Sequence, residues 1–176
     1  MTPDRVAVLL IDWQERLFGA MPEAHRDRAL RCATNMAWIA RELEAPVLTS
    51  EQYPRGLGHT LPSLEATDAI EKVTFSAIQT EAFARKVHET GRDTILLTGM
   101  ETHICVAQTA RDLLAAGLSV YVVADAVLSR RTLDWRVGLD RMVADGARLI
   151  TTEAAMFELI GRAGTPLFKE VSRRIK

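Results

Sequence analysis

The sequence predicts an α/β fold in which helices cover both faces of a parallel sheet. Short apolar runs of strand length, such as Val6–Ile11 and Thr94–Thr98, alternate along the chain with segments whose apolar residues recur at helical spacing. The runs are apolar almost throughout, which is typical of strands buried on both faces. A regular alternation of such strands with helices favours a single three-layer α/β/α domain.

Composition indicates an ordinary globular domain. The 176 residues are 48% hydrophobic and 26% charged, and 22 basic against 23 acidic residues leave a formal net charge of -1. A chain of this length builds one core comfortably, so we expect a single domain over residues 1–176. The balanced charge gives no indication of nucleic acid or an anionic membrane as a partner, and a small molecule is the expected ligand.

The N-terminal region and the cysteines predict a cytoplasmic protein. The longest apolar run, Val6–Ile11, is far shorter than the ~18 residues that a transmembrane helix requires. No small-residue cleavage site follows it, so we expect no secretory signal. The two cysteines, Cys32 and Cys105, cannot form a disulfide framework, which fits a reducing compartment.

Two patterns predict the first strand and the first helix. Val6–Ile11 is apolar throughout and ends in Asp12, which a parallel strand delivers to the carboxyl edge of its sheet, where α/β folds bind ligands. Within Arg28–Glu44 the apolar residues are spaced by four, three and four positions, which predicts an amphipathic helix that Pro46 ends. These residues are Cys32, Met36, Ile39 and Leu43.

The next segment predicts two short strands, a loop and a helix. Val47–Ser50 is the second strand, and the loop Glu51–Pro62, with two prolines and two glycines, is expected to be ordered and functional. A third strand lies within Ala69–Phe75 and contains Lys72, a residue that is unusual inside a strand unless it faces water or a site. Thr80–Glu89 is predicted as a helix because its apolar residues share one face.

A strand, a turn and a helix meet at Cys105. The run Thr94–Thr98 ends at Gly99, and beyond the turn the apolar residues regain helical spacing up to Gly117. Cys105 is therefore expected in the first turn of this helix, where backbone N–H groups and the helix dipole favour an anion. That position predicts a stabilised thiolate, which is the nucleophilic form of cysteine. The alternative is that Cys105 is a small buried apolar residue, as most free cysteines are.

The last third of the chain predicts two more strands and three helices. Asp125 is expected at the end of the first of these strands, where it, like Ser129 and Arg130, could either hold a loop in place or contact the substrate. The predicted elements are the strand Ser119–Ala124, the helix Thr132–Asp145, the strand Arg148–Thr151, the helix Thr152–Ile160 and, after Pro166, a short helix in the basic tail Phe168–Lys176.

Several cofactor, metal and phosphate chemistries are not indicated. The chain lacks the Gly-x-Gly-x-x-Gly of dinucleotide sites and the Gly-x-x-x-x-Gly-Lys-Ser/Thr of P-loops, so no cofactor is expected. Its four histidines form no His-x-x-x-His pair, only Glu51 and His59 resemble part of a metal site, and no metal is expected. Cys105 and Arg111 match the spacing of cysteine phosphatases, but the helical pattern between them holds no glycine that could curl around a phosphate.

Three polar side chains at the ends of different strands predict nucleophilic catalysis. Asp12, Lys72 and Cys105 lie at or near the carboxyl ends of three predicted strands, and they converge on one cleft if those strands are neighbours. A cysteine, a cation and a carboxylate together supply a nucleophile, a counter-charge and a proton carrier for acyl transfer.

Four motifs in this order resemble the isochorismatase-like cysteine hydrolases, a family that includes nicotinamidases and N-carbamoylsarcosine amidases. The resemblance covers most of the chain, and the segments Glu51–Gly58 and Pro166–Glu170 look most like isochorismatase domain-containing proteins. The motifs are Leu-Leu-Ile-Asp12-x-Gln14, Lys72 beside Thr74 and Phe75, Gly99-x-x-Thr102-x-x-Cys105-Val106, and Asp125-Ala126-x-x-Ser129-Arg130.

The resemblance implies a fold, a mechanism and an assembly. The implied fold is a six-stranded parallel sheet of order 3-2-1-4-5-6, and the implied triad is Asp12, Lys72 and Cys105. In that mechanism the cysteine attacks a carbonyl carbon, the aspartate carries the proton to the leaving nitrogen, and water hydrolyses the thioester. The resemblance further implies a cis peptide bond between Met100 and Glu101, an oxyanion hole from the N–H groups of Glu101 and Cys105, and a homo-oligomer.

Departures from the family narrow the expected substrate. Where metal-binding nicotinamidases carry an Asp-x-His pattern, this chain has Ser50-Glu51-Gln52-Tyr53, so nicotinamide held through a metal is not expected. Members that cleave the vinyl ether of isochorismate lack the cysteine, so its retention favours hydrolysis of a C–N bond in a small amide, ureido or carbamoyl compound. The alternative is a non-catalytic or oligomer-forming member without a physiological substrate. The side chains expected to bind the substrate are Gln14, Phe18, Tyr53 and Met100.

Overall fold

The six apolar runs form one parallel sheet. The computed structural model describes all residues, 1–176, and its six strands are ordered β3-β2-β1-β4-β5-β6, every adjacent pair being parallel. This confirms the expected fold class and strand order. The strands are β1 (Val6–Ile11), β2 (Val47–Gln52), β3 (Ile70–Lys72), β4 (Thr94–Met100), β5 (Ser119–Leu128) and β6 (Arg148–Ile150).

Helices cover the sheet on both faces, as the strand composition predicts. One face packs against α2, α7 and α8, and the other packs against α4, α5 and α6. The helices are α1 (Glu15–Gly19), α2 (Glu23–Glu42), α3 (Pro54–Leu57), α4 (Glu81–Glu89), α5 (Ala107–Ala115), α6 (Thr132–Ala144), α7 (Thr152–Ile160) and α8 (Pro166–Arg174). No helix combines the length and the apolar character that crossing a membrane requires.

Strand β1 lies at the centre of the molecule. Its six residues are all fully buried, and successive side chains point to opposite faces of the sheet. Val6, Val8 and Leu10 contribute to one apolar core, whereas Ala7, Leu9 and Ile11 contribute to the other. The strand is therefore apolar throughout because both of its faces are covered, and Asp12 is the first polar residue that it delivers to the carboxyl edge.

Strand β4 approaches β1 so closely that only glycine fits at one position. Gly99 lies opposite Ile11 in the sheet and has a φ of +140°, and a Cβ atom there would lie 2.3 Å from the Ile11 carbonyl oxygen. The sequence predicts a strand that ends before this glycine, but β4 continues through it to Met100. The close approach brings the turn that follows β4 next to the end of β1.

Strand β5 is four residues longer than expected, and this corrects the placement of Asp125. The strand continues to Leu128, so this aspartate lies inside it rather than at its end. Its carboxylate accepts hydrogen bonds from the backbone N–H and the hydroxyl of Thr152, at 2.8 and 2.9 Å. Because α7 begins at Thr152, the polar residue is satisfied by a helix terminus and does not interrupt the strand.

The first long helix begins five residues earlier than expected. Helix α2 starts at Glu23, directly after Pro22, and the residues up to Arg28 are almost all exposed. They carry no apolar stripe, so the periodicity that predicts the rest of the helix is absent from its first turn. The short helices α1 and α3 were also not predicted, because four or five residues are too few to show a periodicity.

Candidate active site

The ends of three strands bring the predicted side chains together. Asp12 follows β1, Lys72 ends β3, and Cys105 lies in the turn after β4. The Lys72 Nζ atom lies 2.7 Å from Asp12 Oδ2, and both side chains are fully buried. A fully buried ion pair is rare unless its charges are well compensated, so its location at the ligand-binding edge of an α/β sheet marks a candidate active site.

The Asp12 carboxylate is held from two sides. Ser50, which lies opposite Ile11 in the neighbouring strand, donates its hydroxyl to Asp12 Oδ1 at 2.7 Å, while Lys72 occupies Oδ2. The backbone of Asp12 is left-handed, with a φ of 53°. Burial raises the pKa of this carboxyl above its ordinary value, and the ammonium of Lys72 acts in the opposite direction.

The Lys72 ammonium is surrounded by acceptors. Besides Asp12 it donates to Gln52 Oε1 at 2.7 Å and to the carbonyl oxygens of Thr74 and Phe75, both at 3.2 Å. These contacts hold the ammonium in one position, whereas an unrestrained lysine side chain samples many conformations. Ser50 and Gln52 were not identified as functional residues from the sequence, and their only signal was a polar pair at the end of a short strand.

Cys105 was expected in the first turn of a regular helix, but the structure places it elsewhere. It belongs to a single π-helical turn, Thr102–Val106, and α5 begins only after that turn. Turns of this kind occur often at functional sites because they redirect one side chain without ending the helix. The side chain is buried and lies close enough to Asp12 and Lys72 for both charges to act on it.

The predicted stabilised thiolate is wrong for the resting protein. Burial, followed by the negative charge of Asp12, raises the pKa of the Cys105 thiol to about 12, while Lys72 opposes this shift. The sequence placed a favourable helix terminus beside the sulfur but could not show how deeply it is buried. Cys105 is therefore protonated at neutral pH and requires a base to become a nucleophile.

A backbone donor lies at the start of the turn that carries the cysteine. The Glu101 N–H makes no hydrogen bond within the protein, although the residue is buried. The Glu101 carbonyl accepts from the N–H groups of Ile104 and Val106, at 3.0 and 3.3 Å, and so anchors the turn that carries Cys105. The peptide bond between Met100 and Glu101 is cis, as the resemblance implied. A buried and unpaired N–H is a ready donor for a negative oxygen.

The Glu101 side chain is bound by one residue of the β5–α6 loop. Its carboxylate accepts from the Arg130 backbone N–H at 3.0 Å and from Arg130 Nε at 3.1 and 3.2 Å. A second hydrogen bond joins the turn after β4 to the β5–α6 loop, since His103 Nδ1 lies 3.0 Å from the Ser129 hydroxyl. The motif that ends in Ser129-Arg130 therefore braces the turn after β4.

The four expected substrate contacts fall into different environments. Gln14 is buried, and its amide is bonded to the backbone of Gln52 and Gly58, so it holds the β2–α3 segment in place. Met100 is fully buried, Phe18 is half-buried against the core, and Tyr53 is 56% exposed. Substrate contact remains a prediction for all four residues, and the bonds of Gln14 indicate a positioning role for its side chain.

Glu51 and His59, the possible remnant of a metal site, contact each other. His59 Nδ1 lies 3.1 Å from Glu51 Oε2, and the other carboxylate oxygen accepts from the backbone N–H and the hydroxyl of Thr60. No group of three or more histidine, cysteine, aspartate or glutamate side chains lies in an arrangement that could hold a metal ion. The Glu51 carboxylate thus fastens the loop that the sequence marked as functional.

The alternative phosphatase arrangement is not formed. After the π-turn the chain continues as the regular helix α5, which contains Arg111. The Arg111 guanidinium is directed to Asp112, with Nε 3.3 Å from Oδ1. A helix between Cys105 and Arg111 cannot wrap its N–H groups around a phosphate.

One cavity is lined in part by Ser129, which contacts His103 in the turn that carries Cys105. It has a volume of about 390 Å³ and is formed by the start of α2, the end of β5 and the start of α6, and none of the three triad residues lines it. Its lining includes His25, Arg28, Ser129 and Trp135. Neither His25 nor Arg28 was singled out from the sequence, because both fall in or next to the unpredicted first turns of α2.

Comparison with known proteins gives a consistent result. The isochorismatase domain family matches residues 6–154. Isochorismatase domain-containing protein 2A from Mus musculus is 38% identical over 179 residues, which covers 99% of this chain and 84% of the mouse protein. Isochorismatase domain-containing protein 1 from Salmo salar is 42% identical over 140 residues, which covers 78% of this chain. The match spans 50% of the salmon protein, so this chain corresponds to about half of that relative's length.

Solved structures have the same fold. A structure from Caenorhabditis elegans, described as the MAR1 ribonuclease, is 34% identical with a TM-score of 0.90, and the match covers 99% of this chain and 91% of that chain. The YcaC gene product from Escherichia coli, described as an octameric hydrolase of unknown specificity, is 22% identical with a TM-score of 0.92. That match covers 99% of this chain and 89% of that chain, and at this identity it demonstrates the fold alone.

Proposed function

The chain belongs to the isochorismatase family, and from that premise we propose that it is a cysteine hydrolase that cleaves a C–N bond of a small amide, ureido or carbamoyl compound. The observation that carries this proposal is the fully buried Lys72–Asp12 ion pair, which lies beside a thiol that is inert without a base. Three groups with complementary roles in acyl transfer thus share one site at the edge of the sheet.

The first half-reaction forms a thioester. Asp12 removes the proton from the Cys105 thiol while the sulfur attacks the carbonyl carbon, so that a C–S bond forms and the carbonyl oxygen becomes negative. The N–H groups of Glu101 and Cys105 donate to this oxygen. The tetrahedral intermediate then collapses, the C–N bond breaks, and Asp12 returns its proton to the leaving nitrogen.

The second half-reaction restores the enzyme. Asp12 is again a carboxylate, and it removes a proton from a water molecule that attacks the thioester carbon. The C–S bond breaks, the product leaves as an acid, and the proton on Asp12 returns to the sulfur. For a ureido or carbamoyl substrate the same steps release a carbamic acid.

Lys72 provides the charge balance that this cycle needs. Its ammonium lies 2.7 Å from Asp12 and favours the ionised carboxylate, which burial alone would neutralise. The same ammonium lowers the pKa of the Cys105 thiol, so it also stabilises the thiolate that forms when the proton moves to Asp12. One cation therefore favours the negative charge on whichever of the two groups carries it.

The similarity to the Caenorhabditis elegans protein described as a ribonuclease raises RNA as a second candidate substrate. Cleavage of RNA requires groups that bind phosphate, and backbone phosphates are bound mainly by arginine and lysine. The Lys72 ammonium is occupied by Asp12 and three further acceptors, and the net charge of the chain is -1. These observations favour a small neutral acyl compound over RNA.

Release of ammonia from a panel of small primary amides, ureido acids and carbamoyl compounds tests the proposal. We expect one class to be hydrolysed, and we expect Cys105→Ala to abolish that activity. Cys32→Ala is the matched control, since Cys32 lies half-buried on α2, outside the triad, and should retain full activity. Activity that survives Cys105→Ala would reject the mechanism. A panel without any turnover, together with cleavage of a labelled RNA, would favour the second candidate.

A further inference from the structure

The turn that carries the proposed oxyanion donor is attached to the rest of the protein by an unusual ion pair. The Glu101 carboxylate is buried, with 6% of the side chain exposed, whereas the Arg130 side chain is 59% exposed. Every hydrogen bond that this carboxylate accepts comes from Arg130. A buried carboxylate is costly without partners, so Glu101 depends on this one residue for its position.

Glu101 links Arg130 to the reacting atoms through its backbone. Its N–H is the unpaired donor at the start of the turn that carries Cys105, and its carbonyl accepts from Ile104 and Val106 on either side of the cysteine. The side chain, by contrast, is bound by the β5–α6 loop and accepts no hydrogen bond from a triad residue. Fixing the side chain therefore fixes the direction of the N–H without placing a new charge on the substrate.

From this geometry we infer that Arg130 is a positioning residue that aims the Glu101 N–H at the oxygen of the tetrahedral intermediate. This inference deepens the proposed function and rests on its oxyanion site. Removing a donor from an oxyanion hole costs about 10²- to 10³-fold in rate, and a donor that is only misaligned should cost less, on the order of tenfold.

The turn should remain folded when Arg130 is replaced. His103 keeps its contact with Ser129, and the Cα of His103 packs closely against Gly138 of α6. The conservative variant Arg130→Gln removes the positive charge and replaces the charged Nε donor with a neutral amide, which binds a carboxylate more weakly, and it leaves the backbone N–H in place. Arg131→Gln is the matched control, because Arg131 is the next residue, is exposed, and makes no side-chain hydrogen bond or ion pair.

Two reactions of Cys105 distinguish two roles that Arg130 could have: orienting the Glu101 N–H, and supporting the fold around the cysteine. A small aldehyde such as ¹³C-labelled propionaldehyde adds to the thiol, forming a C–S bond and a negative oxygen at the position of the oxyanion, with the thiol proton passing to Asp12. Iodoacetamide instead alkylates the sulfur with loss of iodide and forms no such oxygen. Only the first reaction uses the Glu101 N–H.

The test measures both reactions in a Cys32→Ser background, with Cys105→Ala to identify the adduct. We expect Arg130→Gln to weaken the aldehyde affinity, measured by ¹³C NMR, about tenfold, and to leave the alkylation rate within about twofold of the parent. Arg130→Lys should recover part of the affinity because a cation returns, and Arg131→Gln should change neither reaction.

Two outcomes overturn the inference without affecting the proposed hydrolase. Unchanged aldehyde affinity in Arg130→Gln would mean that the ion pair does not orient the donor. An equal loss in both reactions would mean that Arg130 only supports the fold around the cysteine. A third outcome concerns the proposed function itself: if the parent protein forms no adduct at Cys105, the oxyanion site does not exist, and both proposals fail.

Discussion

At the scale of single residues, the proton on Cys105 is controlled by two neighbours of opposite charge. The Asp12 carboxylate raises the pKa of the thiol and the Lys72 ammonium lowers it, and both act on a sulfur that burial already keeps neutral. The aspartate thus makes the resting cysteine less reactive, although it is the base that the proposed reaction requires. Replacing Asp12 should therefore make the cysteine more reactive towards an alkylating reagent and, at the same time, stop hydrolysis.

Asp12→Asn should lower the pKa of the Cys105 thiol while abolishing hydrolysis. The substitution removes the negative charge that raises the thiol pKa and leaves the ammonium of Lys72 in place. Alkylation by iodoacetamide at neutral pH should therefore accelerate in a Cys32→Ser background, whereas amide turnover should stop because no base remains. Titration of the thiolate absorbance measures the pKa directly.

The control for this test is Asp140→Asn, which removes an exposed carboxylate on α6. It should change neither the thiol pKa nor the turnover. An unchanged or raised thiol pKa in Asp12→Asn would contradict the charge balance that we describe. Turnover that persists in Asp12→Asn would exclude this aspartate as the base.

The same residues mark the limit of sequence analysis at this scale. The residue types and their positions at strand ends were enough to select Asp12, Lys72 and Cys105. The protonation of the sulfur could not be predicted, because burial and the distances among three charges arise only when distant segments meet. For the same reason, Ser50 and Gln52 were missed, and Gln14 was expected at the substrate although its amide holds the backbone.

At the scale of secondary structure, the contact between β1 and β4 places the cysteine turn next to the aspartate. Gly99→Ala should therefore destabilise the protein more than an ordinary glycine substitution. The φ of +140° alone costs a non-glycine residue about 1–3 kcal/mol, and the new Cβ would lie 2.3 Å from the Ile11 carbonyl oxygen. Urea unfolding, followed by circular dichroism, measures the loss.

Gly19→Ala is the matched control for this substitution. Gly19 ends the short helix α1, and a Cβ atom there would meet nothing within 4 Å. Its replacement should leave the free energy of unfolding unchanged or slightly higher. Equal stability of Gly99→Ala and the parent protein would show that β1 and β4 can move apart without cost.

The boundaries of helices and strands could be predicted where the apolar residues follow a periodicity. The predictions were wrong where that periodicity is absent or where a tertiary contact satisfies a polar residue. The apolar face of α2 was recognised, but its polar first turn was not. Strand β5 was cut short at Asp125, because the hydrogen bonds from Thr152 that satisfy this residue come from a different element. The π-turn around Cys105 reads as helix in the sequence, since one extra residue in a turn hardly alters the spacing of apolar side chains.

At the scale of the whole molecule, the order of the strands explains why one site forms. The order β3-β2-β1-β4 makes neighbours of four strands whose ends carry the active groups, although Asp12 and Cys105 lie far apart in the sequence. The alternation of strands and helices predicted the layers, and the resemblance to a known family supplied the strand order. Assembly into a homo-oligomer stays a prediction, and the exposed Leu133 and Val137 on α6 offer an apolar surface for it.

The central claim is that Cys105 carries the acyl group during hydrolysis, and rapid-quench mass spectrometry tests it most directly. The compound that releases ammonia fastest would be mixed with the enzyme, quenched at short times, and the protein digested and mapped. We expect a mass increase equal to the acyl group on the peptide that contains Cys105, absent from Asp12→Asn, and transfer of that group to hydroxylamine when it is added. An acyl group on another residue, or full turnover by Cys105→Ala, would contradict the account.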